Sequence, residues 1–580
     1  MLKECMEVFR HELERKGERL ILDSYIPADG TYLVVDREGR MKPPVDIRMD
    51  KKTRKLDKSN PLFPDICFYD YQSQLISMNK PVDGKKVIHS NSYLSFWVKK
   101  DSIVSGKLTE SVIDGYYEIL KNPGEQKYKK SKEASRIYEL FEEAEGPVDT
   151  EAAEQKKQWI KEHIFSLDDI DMSRKDYLKI FFEADKECYI KEGRRYFLPN
   201  IYNSNDYNAE IEDVVYGLPD NNAGMNAKKP FLSVKSRKFP APYVLDGNDV
   251  MLQKQFFDYL MNFAAAGCYH IYVDTELKKI EGYPNGKAPE SVESGYYLRI
   301  KKGKNEAEIQ SQDNLPGYSQ KLEPAFTFCD IIQTEPHKHP EYRELYGTYH
   351  NRLEVGRVIN EVFFSNWLAG NYSIDPGDMS VTDGILKQSI LLSRDALFDW
   401  VYKGIDRGVG KVLEKVSLDL IKGALLNGYR ERALWQLNLR WSFREYFAEE
   451  GENNMAEVIS EFRESVERKV FADKTTPIES DEEYYYAVGQ LVGYLLSLSK
   501  AKEKNQALLN PFMNAKTDTM IKNRITQIYK KYNYAIPDYA RRFKNLLAMV
   551  EGYIPDGEVD QQKIMLGYAC DNVIYKKEDK

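Results

Sequence analysis

The run Tyr485-Tyr486-Ala487-Val488-Gly489-Gln490-Leu491-Val492-Gly493-Tyr494-Leu495-Leu496 carries no charged side chain, and Tyr485, Val488, Leu491, Val492, Leu495 and Leu496 recur at three- and four-residue steps. That spacing lays the six on one stripe of an α-helix. The reading is a helix from Glu482 to Asn505. Helical periodicity continues on both sides, from Ala456 to about Phe471, Thr517 to Asn533, Pro537 to Tyr553 and Asp560 to Tyr575. Five such segments with short connections predict an antiparallel bundle over residues 455–580.

Further towards the N-terminus, a polar break at Glu449-Glu450-Gly451-Glu452-Asn453-Asn454 precedes the bundle. Ahead of it, from Glu354 on, the pattern is again helical, with Val358, Val362, Phe363 and Trp367, then Ala396, Leu397, Trp400 and Val401 in register. The first 365 residues differ. Short β-like runs at Thr31–Asp36, Tyr93–Lys99, Pro230–Lys235, Tyr269–Asp274 and Tyr296–Lys301, the last with a hairpin partner, alternate with helical stretches. Between Lys121 and His163 two exposed helices are predicted, separated at Gly146-Pro147. The fold class is therefore α+β: a mixed body over 1–365, a helical connecting region over 366–454, and the bundle over 455–580.

A chain of 580 residues exceeds the ~250–300 that one core can organise, so several domains are expected. With 42% apolar and 30% charged residues the composition is that of a folded protein. The first ten residues mix acids and bases without the apolar core of a secretory signal and read as an amphipathic helix. The most apolar stretches, Tyr259–Val273 and Gln490–Leu498, fall short of a ~20-residue span, so no membrane segment is expected. Cys5, Cys67, Cys188, Cys268, Cys329 and Cys570 show no metal-ligand spacing, which fits a reducing cytoplasm.

Phosphate-loop, dinucleotide, zinc-protease and nucleophile-elbow motifs are all missing, which argues against a conventional ATPase, dehydrogenase or hydrolase. His337-x-His339, with Cys329, Asp330 and Glu335 nearby, is half of a metal site at most, and no metal or other cofactor is expected. His89 has no triad partner at a telling distance and is assigned no catalysis.

Charge is where the sequence points to a partner. Between Lys500 and Lys544 stand Lys500, Lys502, Lys504, Lys516, Lys522, Arg524, Lys530, Lys531, Arg541, Arg542 and Lys544 against only Glu503, Asp518 and Asp538. Because the whole chain is −8, the chain is electrically polarised, and the end that carries the Lys500–Lys544 segment is built for an anion. Lys500, Lys502 and Lys504 also suit the C-terminal end of the predicted helix dipole. A second cluster, Lys228, Lys229, Lys235, Arg237 and Lys238, follows the loop Gly217-Leu218-Pro219-Asp220-Asn221-Asn222-Ala223-Gly224-Met225-Asn226. Asn, Gly and Pro let such a backbone approach a ligand, asparagine amides suit base edges, and lysines suit phosphates. It is also readable as an Asx-rich turn joining two elements. A third cluster, Lys80, Lys85, Lys86, Lys99, Lys100 and Lys107, is interleaved with Tyr93, Phe96 and Trp97 and with Asn91, a pattern shared by base-stacking surfaces and by cores.

Three stretches carry a resemblance to a known family: Ser77-Met78-Asn79-Lys80-Pro81-Val82-Asp83 through Lys86, Asn91 and Lys99; Asn222-x-Gly224-x-Asn226-x-Lys228-Lys229-Pro230-Phe231; and the helices from Tyr485 through Lys531 to Arg542. Over most of its length the chain resembles the large subunit of the type I-B CRISPR surveillance complex, Cascade. The resemblance implies a non-catalytic subunit that recognises the protospacer-adjacent motif in duplex DNA, helps open an R-loop and recruits a helicase-nuclease. Its partners would be guide RNA, target double-stranded DNA and the other Cascade subunits. It implies motif and duplex contacts from Asn222, Gly224, Asn226, Lys228, Lys229, Lys235, Arg237 and Lys238, and nucleic-acid contacts from Lys80, Lys86, Asn91, Lys99 and Lys100. Single-strand backbone contacts would come from Lys500, Lys504, Lys522, Arg524, Lys530, Lys531, Arg541, Arg542 and Lys544. A guide that reads sequence by pairing leaves the protein only a short motif and the backbone to recognise.

Family members can make the small subunit from an internal start. Here Gly451-Glu452 are encodable as GGAGAR, a ribosome-binding sequence just upstream of Met455, so a second product beginning at Met455 is expected. The competing reading is a scaffold whose basic bundle docks an acidic protein.

Overall fold

The computed structural model describes residues 2–50, 56–167, 170–202, 208–219, 243–303, 307–333, 340–447, 455–500 and 508–577. It falls into two compact units, Met1–Lys287 with Val292–Pro316, and Ala288–Ser291 with Gly317–Lys580. The first mixes sheet and helix and the second is almost wholly helical, so the chain is α+β as its periodicity predicts.

The first unit is built on two four-stranded sheets. In one, β1 (Gly30–Val35) pairs antiparallel with β2 (Val45–Ile47) and parallel with β4 (Tyr177–Phe182), and β4 pairs antiparallel with β3 (Ser95–Lys99). Every residue of β1 is buried, as are five of six in β4, the mark of a sheet covered on both faces. A helix, α1 (Phe63–Ser73), brings Asp70 within 2.5 Å of Lys179 on β4, whose ammonium also lies 3.7 Å from the centre of the Trp97 ring. Two helices, α2 (Lys132–Glu145) and α3 (Thr150–His163), flank the predicted break; Ser131 and Asp149 cap them by accepting from the N–H groups of Ala134 and Ala152. After α4 (Lys186–Asn200) comes a small hairpin, β5 (Ala209–Ile211) and β6 (Val214–Tyr216). The second sheet, against which α5 (Gly247–Ala265) packs, has antiparallel neighbours in the order β10 (Ala307–Leu315), β9 (Gly295–Lys302), β7 (His270–Asp274), β8 (Lys279–Tyr283). The strand expected at Pro230–Lys235 lies outside the described residues.

In the second unit a hairpin, Lys321–Phe328 with Gly347–Asn351, is followed by helices throughout: α6 (Arg352–Val362), α7 (Gly384–Lys403), α8 (Val409–Leu426), α9 (Arg430–Phe447), α10 (Met455–Phe471), α11 (Asp481–Ser497), α12 (Asp518–Tyr532), α13 (Arg541–Gly552) and α14 (Gln561–Ala569). The apolar run Tyr485–Leu496 lies within α11, and most of its side chains are buried. Its backbone touches that of α14: a Cβ at Gly489 would stand 2.2 Å from the Ile564 carbonyl oxygen, and one at Gly567 equally close to that of Tyr486. Gln490 seals the crossing, its amide donating to the carbonyl of Gly567 at 2.6 Å and accepting from the N–H of Val573 at 2.7 Å. One hydrophobic core joins this bundle to Ile421 and Leu425 of α8 and Leu437 and Trp441 of α9.

The periodicity overran two ends. Helix α11 stops at Ser497, not Asn505, so Lys500 is no last-turn residue, and the last predicted helix ends at Ala569. Among the described residues no helix is long and apolar enough to cross a membrane.

Candidate nucleic-acid interface

The basic end of the chain gathers around the turn between α12 and α13. Ile521, Ile525, Ile528 and Tyr532 form the buried stripe of α12, while Arg524, Lys530 and Lys531 stand off it. The stacked rings of Tyr529 and Phe543, 5.9 Å apart, tie α12 to α13. Across the turn Tyr534 is 67% and Tyr539 88% exposed, the two most open aromatic side chains of the described residues. Lys500 lies over the Tyr534 ring at 5.9 Å and Lys531 over Tyr532 at 5.2 Å.

Two helix termini here have opposite electrostatic meanings. Lys530 and Lys531 sit in the last turn of α12, where the dipole welcomes cations, so part of their presence is structural. Arg541, Arg542 and Lys544 open α13, which has no acid in its first turn and no side-chain cap. Cations there face the positive end of the dipole, an arrangement that stability alone disfavours and an anionic ligand would relieve. Local contacts offset part of this: Arg541 meets Asp473 at 2.5 Å, Lys544 donates to the Asp538 carbonyl at 2.6 Å, and Arg542 stacks on Phe471 at 3.8 Å while donating to the carbonyls of Ile574 and Lys576.

Not every expected residue is on this surface. Lys522 is turned into the bundle, paired with Asp518 at 3.1 Å and donating to the Tyr553 carbonyl. Arg542 is largely committed as described. The surface set is Lys500, Arg524, Lys530, Lys531, Arg541 and Lys544; Lys504 lies outside the described residues.

In the N-terminal cluster Lys86 and Lys99 are exposed, but three of the expected contacts are internal. Lys100 is fully buried, donating to the Thr31 hydroxyl at 2.8 Å and pairing with Asp176 at 3.0 Å. Asn91 is buried, its amide donating to the carbonyls of Gln72 and Gln74. Lys80 donates to the carbonyls of Asn200, at 2.7 Å, and Tyr202. Lys100 and Asn91 are therefore corrected to structural roles, since a buried group cannot reach a polyanion, and Lys80 is a tie between backbones. Trp97, Phe96 and Tyr93 belong to the core. Burial lowers the His89 pKa, and the ring bridges the Tyr177 hydroxyl and the Lys86 carbonyl, each at 2.9 Å, as a satisfied neutral side chain.

Asn222, Gly224, Asn226, Lys228, Lys229, Lys235, Arg237 and Lys238 lie outside the described residues, as do Glu335, His337 and His339. The root of the Asn-Gly segment is described. Gly217 and Leu245 exchange two backbone hydrogen bonds of 2.9 Å, the Tyr202 hydroxyl donates to Leu245, and a Cβ at Gly217 would strike the Tyr202 ring. Lys80 thus grips the chain beside this root. Among the described residues no cluster of three or more His, Cys, Asp or Glu could hold a metal.

Sequence reading missed Tyr534 and Tyr539. Their signal was available: both flank Pro537 inside a basic run, off the apolar stripe that accounts for Tyr529 and Tyr532. Comparison with family models, with curated proteins and with solved structures finds no match to this chain.

Proposed function

We propose that this chain is the non-catalytic large subunit of an RNA-guided surveillance complex of the type I-B CRISPR kind. In this reading the first unit recognises the protospacer-adjacent motif through the Asn-Gly-Lys segment rooted at Gly217, promotes R-loop formation and recruits the helicase-nuclease. The helical bundle holds single-stranded backbone. The observation that carries it is the surface on which Tyr534 and Tyr539 stand open among Lys500, Lys530, Lys531, Arg541 and Lys544. Open aromatic faces beside cations are what a sequence-tolerant single-strand site requires, the rings stacking on bases and the cations neutralising phosphates. A docking site for an acidic protein needs the charge but not the bare rings.

The test is affinity for a single-stranded oligonucleotide against salt concentration. Several phosphate contacts give a log–log slope near −0.7 per contact. A shallow slope, with no guide-length RNA retained by the tagged protein taken from its host, returns the bundle to the scaffold reading.

A further inference from the structure

A second cationic site lies in the helical unit, away from the residues of the α12–α13 turn. Helices α8 and α9, with Phe363 and the residues just before α8, line an open cavity of about 630 Å³, within the ~300–1,000 Å³ usual for small-molecule sites. Arg407, Lys411, Arg440 and Arg444 line it, against a single acid, Glu414. Glu414 is held by both inner arginines, with Arg440 donating to one carboxylate oxygen and Arg444 reaching the same oxygen at 3.1 Å and the other at 3.2 Å. Arg440 is nearly fully buried, also donates to Ser417 and Gln562, and burial lowers its pKa to about 10. Arg407 and Lys411 are exposed at the mouth and have no carboxylate partner among the described residues.

The other wall is aromatic. Phe443 and Phe447 stack at 6.0 Å and 17°, and Phe363 continues the series at 6.5 Å from Phe443. Gly410 brings the backbone of α8 against this wall, because a Cβ there would stand 3.1 Å from the Phe447 ring. The cavity also meets the start of α8, an 18-residue helix preceded by Gly408 at φ +85° and lacking a side-chain cap. Cations over an uncapped helix start suit phosphate, and flat phenyl rings suit a heterocycle.

We propose that this cavity binds a nucleotide, its phosphates on Arg407, Lys411 and Arg444 and its base against Phe447, the partly exposed ring of the series. Arg440, locked to Glu414, Ser417 and Gln562, positions Arg444. The inference does not rest on the single-strand reading above. Two sources share the chemistry, a free nucleotide and a nucleotide of a strand.

Calorimetric titration of the full chain with ADP, adenosine and inorganic phosphate tests it. ADP is expected to bind at micromolar concentration, with adenosine and phosphate each weaker by about tenfold or more, because each keeps only half of the contacts. Arg407→Glu with Lys411→Glu, both on exposed side chains, should weaken ADP by about a hundredfold. Phe447→Ala should weaken ADP by about tenfold and leave phosphate unchanged. Lys530→Glu with Lys531→Glu should leave ADP binding as it is. A 5′-phosphorylated thymidine trinucleotide that displaces ADP identifies a strand as the source, and one that fails to displace it identifies a free nucleotide. Absence of saturable binding by both ADP and the trinucleotide overturns the proposal, as does ADP affinity indifferent to the Arg407 and Lys411 reversals.

Discussion

The ammonium of Lys500 lies 5.9 Å from the centre of the Tyr534 ring, so a lysine just past α11 and a tyrosine just past α12 form one patch although 34 residues part them. If that patch stacks bases, ring and charge have separable effects. Tyr534→Ala and Tyr539→Ala should each lower oligonucleotide affinity by about tenfold or more, from ~1–3 kcal/mol of stacking per base, with the salt slope unchanged. Lys530→Ala and Lys531→Ala should each flatten the slope by about 0.7. Fluorescence anisotropy across a salt series reads both. Equal effects on affinity and slope from all four variants would mean that the tyrosines only shape the surface.

How far the sequence discloses this depends on whether the deciding contact is local. Helix α11 was legible because its six-residue stripe is a local pattern. Its end was not, since Lys500 and the residues after it are good helix formers, so propensity alone marks no stop at Ser497. Lys99 and Lys100 are neighbours in sequence, yet one is exposed and the other fully buried, because Lys100 starts a new turn and meets Asp176, a partner that a charge count cannot see. Lys80 is the same case, its acceptors lying about 120 residues away. Charge clusters are read from sequence as sums, whereas burial sorts their members one at a time.

Lys127 makes that sorting measurable. It donates to the Pro81 carbonyl next to Lys80, and burial, then the charge of Lys80, lower its pKa to about 8. The unfolded lysine titrates near 10.4. Below pH 8 both states are protonated and the full burial penalty applies. From pH 8 to about 10.4 the unfolded chain binds the extra proton, so stability rises with pH by up to about 3 kcal/mol. Lys127→Met should abolish that rise and be about 1–2 kcal/mol more stable than the parent at pH 7, after the lost hydrogen bond is counted. Urea unfolding at pH 7, 8.5 and 10 checks both signs; a parallel pH profile in parent and variant would locate the titration elsewhere.

The α11–α14 crossing predicts a sharp contrast between glycines. Gly489→Ala puts a methyl group against backbone atoms of Ile564, Gly567 and Tyr568, none of which can swing aside as a side chain can, so a cost of about 3 kcal/mol or more is expected. Gly115, in the helix Glu110–Lys121, has nothing within 4 Å of its added Cβ, and Gly115→Ala should stabilise by about 0.5–1 kcal/mol. Thermal melts of the two variants should move in opposite directions. A tolerated Gly489→Ala would mean that the two helices stand further apart.

The same core bears on a product starting at Met455. Helix α10 begins at that residue, so such a product would keep every helix of the bundle. It would lose α8 and α9, whose Ile421, Leu425, Leu437 and Trp441 share the bundle's core and whose Arg430, at the start of α9, donates to the carbonyls of Ala569 and Cys570. Removing that cover leaves an apolar seam exposed, and contiguous exposed apolar surface drives association. Residues 455–580 expressed alone should therefore be helical by circular dichroism but sediment as more than a monomer. Leu437→Ala in the full chain should cost about 2–5 kcal/mol, as truncation of a fully buried leucine does. A monomeric, fully stable 455–580 fragment would show that the seam with α8 and α9 is dispensable, and would make the bundle an independently folding module.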